Sequence, residues 1–255
     1  MAACTPREAQ IDQLRDTGYV VLRQFAAKGE LAELNRAARS QLAARAHPLE
    51  LEADLRYPGA PASRAAAGGE TVRRLLDAYD RDPVFARWGS TPASRLWMEA
   101  YFGESSSMSR AHHNCLMTKH PKYGSRTGWH RDIRYWSFDR EDLVSVWLAL
   151  GEESIDNGAL RFVPRSHRMA FDADRFDESK FFRTDLKDNA EVIRSVESPR
   201  LAPGDAVFFH CNTLHSAGPN LGDAVKFSLV YTYHARSNAP RPGTRSAAKP
   251  EVPLG

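Results

Sequence analysis

In the stretch Thr127-Gly128-Trp129-His130-Arg131-Asp132 a histidine and an aspartate stand two residues apart. Alternate side chains of a β-strand share a face, so on a strand His130 and Asp132 would project together. A neutral imidazole and a carboxylate, joined by a second imidazole, make the 2-His-1-carboxylate set that suits non-haem Fe(II) and leaves coordination positions open. Taken alone the triplet says little, since most such spacings are ordinary surface residues. The rest of the chain must supply a third ligand, a cosubstrate anchor and a scaffold. Of nine histidines, His215 is the best placed. Pro203-Gly204-Asp205 turns into the apolar run Ala206 to Phe209, and Ser216-Ala217-Gly218-Pro219-Asn220 makes the next turn, so His215 falls at the mouth of a β-scaffold. His210 is its rival.

The elements that must position these residues fall into two textures. Thr5-Pro6-Arg7-Glu8 reads as a capped helix start, with Ile11 and Leu14 on an apolar stripe and Gly18 as the stop. Tyr19 to Leu22 reads as a strand, and a second helix is expected from about Lys28 through Arg45. Residues 58–69, rich in Pro, Gly and Ala, read as a loop. Helical patterning is expected again at Thr71 to Leu76 and from Pro92 to Tyr101. From Met108 onward short apolar runs alternate with turn residues: Ala111–Thr118, Gly128–Asp132, Val144–Leu150, Ala159–Val163, Ala206–Phe209 and Val225–His234. Such spacing indicates a sandwich or barrel. The long charged segment from Arg168 to Arg200 reads as a lid or substrate loop. The expected organisation is one domain over 1–236, mainly β with flanking helices: a helical wrapper over 1–105, a β-core over 106–236 and a loose tail over 237–255.

Composition bounds the reading. The chain has 255 residues and a formal net charge of +3, too small to argue for a nucleic-acid partner. Three cysteines, Cys4, Cys115 and Cys211, without a C-x-x-C pair, argue against a disulfide framework and fit a reducing cytoplasm. The amino end has no apolar signal-peptide core, and no run approaches the ~20 apolar residues of a membrane helix. Peripheral contact with a membrane surface stays open.

Trp129-His130-x-Asp132, then Asp156-Asn157-Gly158-Ala159-Leu160-Arg161-Phe162-Val163-Pro164-x-Ser166-His167, Pro203-Gly204-Asp205 and His215-Ser216-Ala217-Gly218-Pro219-Asn220, resemble the phytanoyl-CoA dioxygenase family. The resemblance runs from about Arg7 to about His234. It implies a double-stranded β-helix (jelly-roll, cupin-like) core, and an Fe(II)-dependent oxygenase that uses 2-oxoglutarate and O2 as cosubstrates. It further implies His130, Asp132 and His215 as the metal ligands. Where the family places an anchoring Arg and a hydroxyl for the distal carboxylate of 2-oxoglutarate, this chain has Lys226 and Ser228. A lysine lacks the planar fork of arginine, so bidentate geometry is lost; Arg236 could compensate. Asn114 and Lys119 match positions of polar contacts to the cosubstrate. The retained Asp132 favours hydroxylation over halogenation. His167 reads as part of a scaffold turn.

Basic residues crowd the metal stretch: Lys119, Lys122, Arg126, Arg131 and Arg134, with Arg161 and Arg165 following. At an active-site rim such a cluster attracts anions, and Trp129, Tyr135 and Trp136 offer aromatic faces. The expected substrate is an anionic small molecule or lipid-linked sugar, with Arg126, Arg131, Arg134, Arg161 and Trp129 as its contacts. The residues from His113 to Lys119 and from Gly128 to Trp136 are similar to bacterial hydroxylases of the Kdo sugar of lipopolysaccharide. Hydroxylation of another small metabolite or an acyl-CoA, and a catalytically silent jelly-roll that binds a ligand or acts as a sensor, are the alternatives.

Overall fold

The computed structural model describes residues 6–55 and 57–255. Along the first part run α1 (Glu8–Thr17), β1 (Tyr19–Leu22), α2 (Lys28–Ala43), β2 (Leu49–Leu51), α3 (Glu52–Leu55), β3 (Val72–Leu76), α4 (Ala78–Arg81), α5 (Pro83–Gly89) and α6 (Pro92–Phe102). The second part contributes β4 (Ser106–Ser109), β5 (Cys115–Lys119), β6 (Thr127–His130), β7 (Leu143–Ala149), β8 (Leu160–Phe162), α7 (Lys187–Ile193), β9 (Ala206–His210), β10 (His215–Ala217), β11 (Lys226–Ala235) and β12 (Val252–Leu254). The Thr5 cap and Cys4 lie outside the described residues. Cys115 and Cys211 are free and buried. No helix among the described residues is long and apolar enough to cross a membrane.

Two antiparallel sheets face each other, as the jelly-roll expectation requires. The larger has the order β1-β9-β7-β11-β5-β3-β2, with β4 on β11 and β12 on β4; the smaller is β6-β10-β8. Period-2 alternation separates the faces of the large sheet. Val144, Val146 and Leu148 of β7, Phe208 of β9, and Leu229 and Tyr231 of β11 pack beneath the helices with Leu14, Leu34, Phe85 and Trp97. The alternate residues Trp147, Ala149, Val207, Phe209 and Val230 meet Leu160, Phe162 and Ala217 of the small sheet. Both faces of the large sheet are therefore covered, and the polar groups left on its inner face point at the small sheet.

Two expectations are corrected. Val72-Arg73-Arg74-Leu75-Leu76 is a strand, β3, and not a helix. A five-residue run fits either period, and pairing decides it: Leu75 lies opposite both Leu49 and Leu116. The wrapper thus contributes β1, β2 and β3 to the main sheet as well as helices. Residues 237–255 do not hang loose. β12 pairs with β4 through Val252↔Met108 and Leu254↔Ser106, Leu254 is buried, and Glu251 meets the buried His234 at 2.6 Å. Their polar, Pro-rich composition conceals these few anchors.

Candidate active site

The small sheet sets the two imidazoles against each other. β6 and β10 run antiparallel with His130 directly opposite His215, and their ring centroids are 4.2 Å apart. Asp132 arrives by another route than the expected strand face. β6 ends at His130, and Asp132 opens a 3-10 turn that continues to Tyr135. Its Oδ1 lies 3.6 Å from His130 Nε2 and 3.5 Å from His215 Nε2. Across the gap, Ser145 of β7 donates its hydroxyl to Asp132 Oδ2 at 3.1 Å.

The hydrogen bonds of these groups test whether a metal fits. His130 Nδ1–H donates to the Gly128 carbonyl at 2.8 Å, and His215 Nδ1–H to the Thr213 carbonyl at 3.0 Å. Both Nε2 lone pairs then face Asp132 Oδ1, a buried oxygen with no hydrogen-bond partner among the described residues. Lone pairs facing an orphaned buried carboxylate are costly unless a cation sits between them. One ligand atom from each residue lies within 4.8 Å of the other two. Burial, with His215 and Arg134 nearby, pushes the His130 imidazole well below its ordinary pKa, toward the neutral form that a ligand needs. The residues fit a divalent iron.

A fourth group escaped sequence reading. His113 Nε2 lies 3.4 Å from Asp132 Oδ1, and its ring meets Trp136 edge-on at 5.3 Å. It sits in the bend before β5 at a φ of 40°. No spacing motif marks it, since its approach depends on where that bend folds.

A cavity of about 280 Å³ lies over the triad. Toward one end it is lined by Lys119, Trp147, Gly158, Leu160, Ala217 and Lys226. Lys226 and Ser228, the residues expected as the anchor, both face Glu153 there. Lys226 Nζ pairs with Glu153 at 2.9 Å, and Ser228 Oγ and Trp147 Nε1 donate to Glu153 Oε1 at 2.6 and 2.9 Å. Glu153 is fully buried; the sequence reading missed it because its role depends on the turn after β7 folding back against β11. Lys119 Nζ donates to the carbonyls of Ser125 and Gly218 at 3.0 and 2.7 Å. Gly158, at φ 78°, leaves room for it: a Cβ there would fall 2.6 Å from Lys119 Cδ. Asn114 is not in the cavity wall. Its Oδ1 accepts from Tyr79 N at 2.8 Å and its Nδ2 donates to the Arg110 carbonyl at 3.3 Å, which makes it a loop brace. Arg236 is exposed beyond β11.

Toward the other end stand Tyr57, Arg74, His113, Arg134, Tyr135 and Arg245. Of the five expected substrate contacts, Arg134 alone lines the cavity. Arg131 Nη2 is spent on the Ser166 and Met169 carbonyls, both at 2.6 Å. Arg161 lies over the Trp129 ring at 5.3 Å, and burial, with Arg126 nearby, lowers its pKa. Trp129 itself packs with Val163, Phe182 and Leu214. Neighbours of His130 in sequence alternate away from the metal, so proximity along the chain misled. His210 is also outside, facing Asp142 at 3.6 Å. The segment 168–200 does reach the site: Phe181 lies 5.9 Å from the His130 ring, and Phe182 N donates to the Trp129 carbonyl at 2.7 Å.

Comparison with known proteins agrees with this geometry. An ectoine dioxygenase from Sphingopyxis alaskensis is 26% identical over 237 residues, covering 87% of this chain and 73% of that protein. The crystal structure of EctD from S. alaskensis with 2-oxoglutarate and 5-hydroxyectoine has a TM-score of 0.79 at 21% identity, covering 100% of this chain and 88% of that one. The form of EctD with bound Fe has a TM-score of 0.74 at 21% identity, over 98% and 84% of the two chains. The phytanoyl-CoA dioxygenase family model matches residues 14–228, and the chain belongs to that family, as a dioxygenase dependent on iron and 2-oxoglutarate.

Proposed function

We propose that this chain hydroxylates a small, negatively charged molecule. Bound iron, with 2-oxoglutarate and O2, would supply the chemistry: oxidative decarboxylation to succinate and CO2, with one oxygen atom entering a substrate C–H bond. His130, Asp132 and His215 hold the metal, and the Gly128 and Thr213 carbonyls and Ser145 fix their orientation. The cavity end at Lys119, Lys226 and Trp147 takes the 2-oxoacid. The Arg134 end takes the substrate, and Phe181 with the 168–200 segment limits water there.

Arg134 carries the argument for a negative charge. Its Nη1 donates to the Ser179 and Lys180 carbonyls at 3.2 and 3.0 Å, while Nε and Nη2 are buried without a partner among the described residues. Those two N–H groups form the edge of the guanidinium that grips a carboxylate bidentately. The guanidinium is held between Phe181 and Tyr135, at 4.0 and 4.4 Å, so the fork is preorganised. Arg245 adds positive charge to the same wall, where Arg74 is paired with Glu50 at 2.7 Å. A cavity of about 280 Å³, shared with the 2-oxoacid, suits a sugar acid or an amino-acid-sized metabolite. A Kdo sugar meets these requirements, and the extent of the likeness to ectoine dioxygenases supports ectoine as the second candidate.

The test is succinate formation from 2-oxoglutarate with Fe(II) in the presence of ectoine, a Kdo-terminated lipid A precursor or an acyl-CoA, with mass spectrometry for a product heavier by one oxygen. Turnover with a carboxylate-bearing acceptor is expected, and loss of it in His130→Ala. A protein that binds no iron and yields no succinate above His130→Ala would instead be a silent ligand-binding jelly-roll.

A further inference from the structure

The cosubstrate end of the cavity has a charge arrangement that the anchoring lysine alone does not explain. Three cations and two carboxylates are buried there: Arg73, Lys119 and Lys226 with Glu52 and Glu153. Arg73 pairs with Glu52 at 3.2 Å and Lys226 with Glu153 at 2.9 Å. Among the described residues no carboxylate lies within ion-pair distance of Lys119. An ammonium has three donors, and two of those on Lys119 go to carbonyls, which leaves one N–H free and the charge without a carboxylate in contact. Lys119 on β5 stands directly opposite Lys226 on β11. Like charges so placed destabilise a sheet unless an anion joins them. The Lys226 charge is already answered by Glu153, to which Ser228 and Trp147 also donate.

Building on the oxygenase reading above, we infer that Lys119 supplies the countercharge that selects a dicarboxylate cosubstrate. Glu153, on this inference, turns Lys226 and Ser228 into a charge-neutral floor beside it. The net charge of this end is then +1, which matches the distal carboxylate of 2-oxoglutarate. The lysine at the usual anchor position is a hydrogen-bonding neighbour in this chain, and the selective charge comes from the facing strand. Glu153 is a positioning residue: it fixes Lys226, Ser228 and Trp147 without requiring contact with the cosubstrate.

The experiment is calorimetric titration of the Mn(II)-loaded full chain with 2-oxoglutarate and with 2-oxopentanoate, which lacks the distal carboxylate. The wild type is expected to favour 2-oxoglutarate by more than about tenfold. In Lys119→Met that preference should fall below about threefold with 2-oxopentanoate affinity kept, which shows an intact site. Lys119→Gln retains N–H groups for the carbonyls and should lose the same preference, so the assignment survives poor folding of the methionine variant. Glu153→Gln, which frees the Lys226 charge, should keep or raise the preference. A wild-type preference in both Lys119 variants, or its loss in Glu153→Gln, would overturn the assignment. Failure of the wild type to bind either 2-oxoacid would count against the oxygenase reading itself.

Discussion

Burial and like charge act in the same direction at Lys119. Desolvation, with Arg73 and Lys226 nearby, lowers its pKa to about 7, against the opposing pull of Glu52 and Glu153. A group with so lowered a pKa is charged below pH 7 and loses its charge as pH rises through 7. Preference for 2-oxoglutarate over 2-oxopentanoate should therefore fall by about tenfold between pH 6 and pH 8.5. The distal carboxylate stays ionised throughout, and the rest of the site is common to both 2-oxoacids, so their ratio isolates Lys119. A ratio that does not move over that range would contradict the role. At this scale His130, Asp132 and His215 were legible in sequence, because ligand chemistry restricts residue type and the flanking turns restrict position. Glu153 and His113 were not. A buried charge declares its function through its partner, and the partner of Glu153 lies 73 positions away, on β11. Arg131 and Asn114 erred in the opposite sense: each has the right chemistry, but backbone carbonyls or an amide of α4 take up its polar atoms.

Element by element, β5 to β9 and β11, though not β10, whose Ser216 and Ala217 read as a turn, followed their apolar runs to within a few residues, since alternation on a covered sheet is a strong constraint. β3 and β12 did not, because each is specified by the edge it joins and not by its own period. The carboxyl-terminal segment matters most among these. It brings Leu254 into the main core and places Ser246 where its Oγ accepts from Ser137 N at 2.8 Å and meets His112 Nε2 at 2.7 Å. It also sets Arg245 on the cavity wall. Ending the chain at Asn238 removes all of these contacts. Loss of one buried leucine and a short ladder should cost roughly 2–4 kcal/mol. Chemical denaturation of the truncated chain should show that loss, along with weaker substrate binding. A truncated chain as stable as the full one would mean that β12 rests on the sheet without supporting it.

At the scale of the molecule, the candidate metal site lies between the two sheets and draws on both. His130 and His215 belong to the small sheet, while Asp132 is tied through Ser145 to β7 of the large one. Loaded, the site would clamp the layers together. Empty, it leaves a carboxylate oxygen and two imidazole lone pairs facing one another in a buried space. Metal should therefore stabilise the whole fold and not merely the cavity. An ion that binds only the native state contributes about 2.7 kcal/mol at a hundredfold excess over its Kd. For a chain of this length that corresponds to roughly 5–10 °C in the melting temperature. Mn(II) should raise the wild-type transition by that amount and a chelator should reverse it. His130→Ala should melt near the metal-free wild type and show no response to Mn(II). An unchanged wild-type transition at saturating Mn(II), or an equal rise in His130→Ala, would place the ion elsewhere than between the sheets.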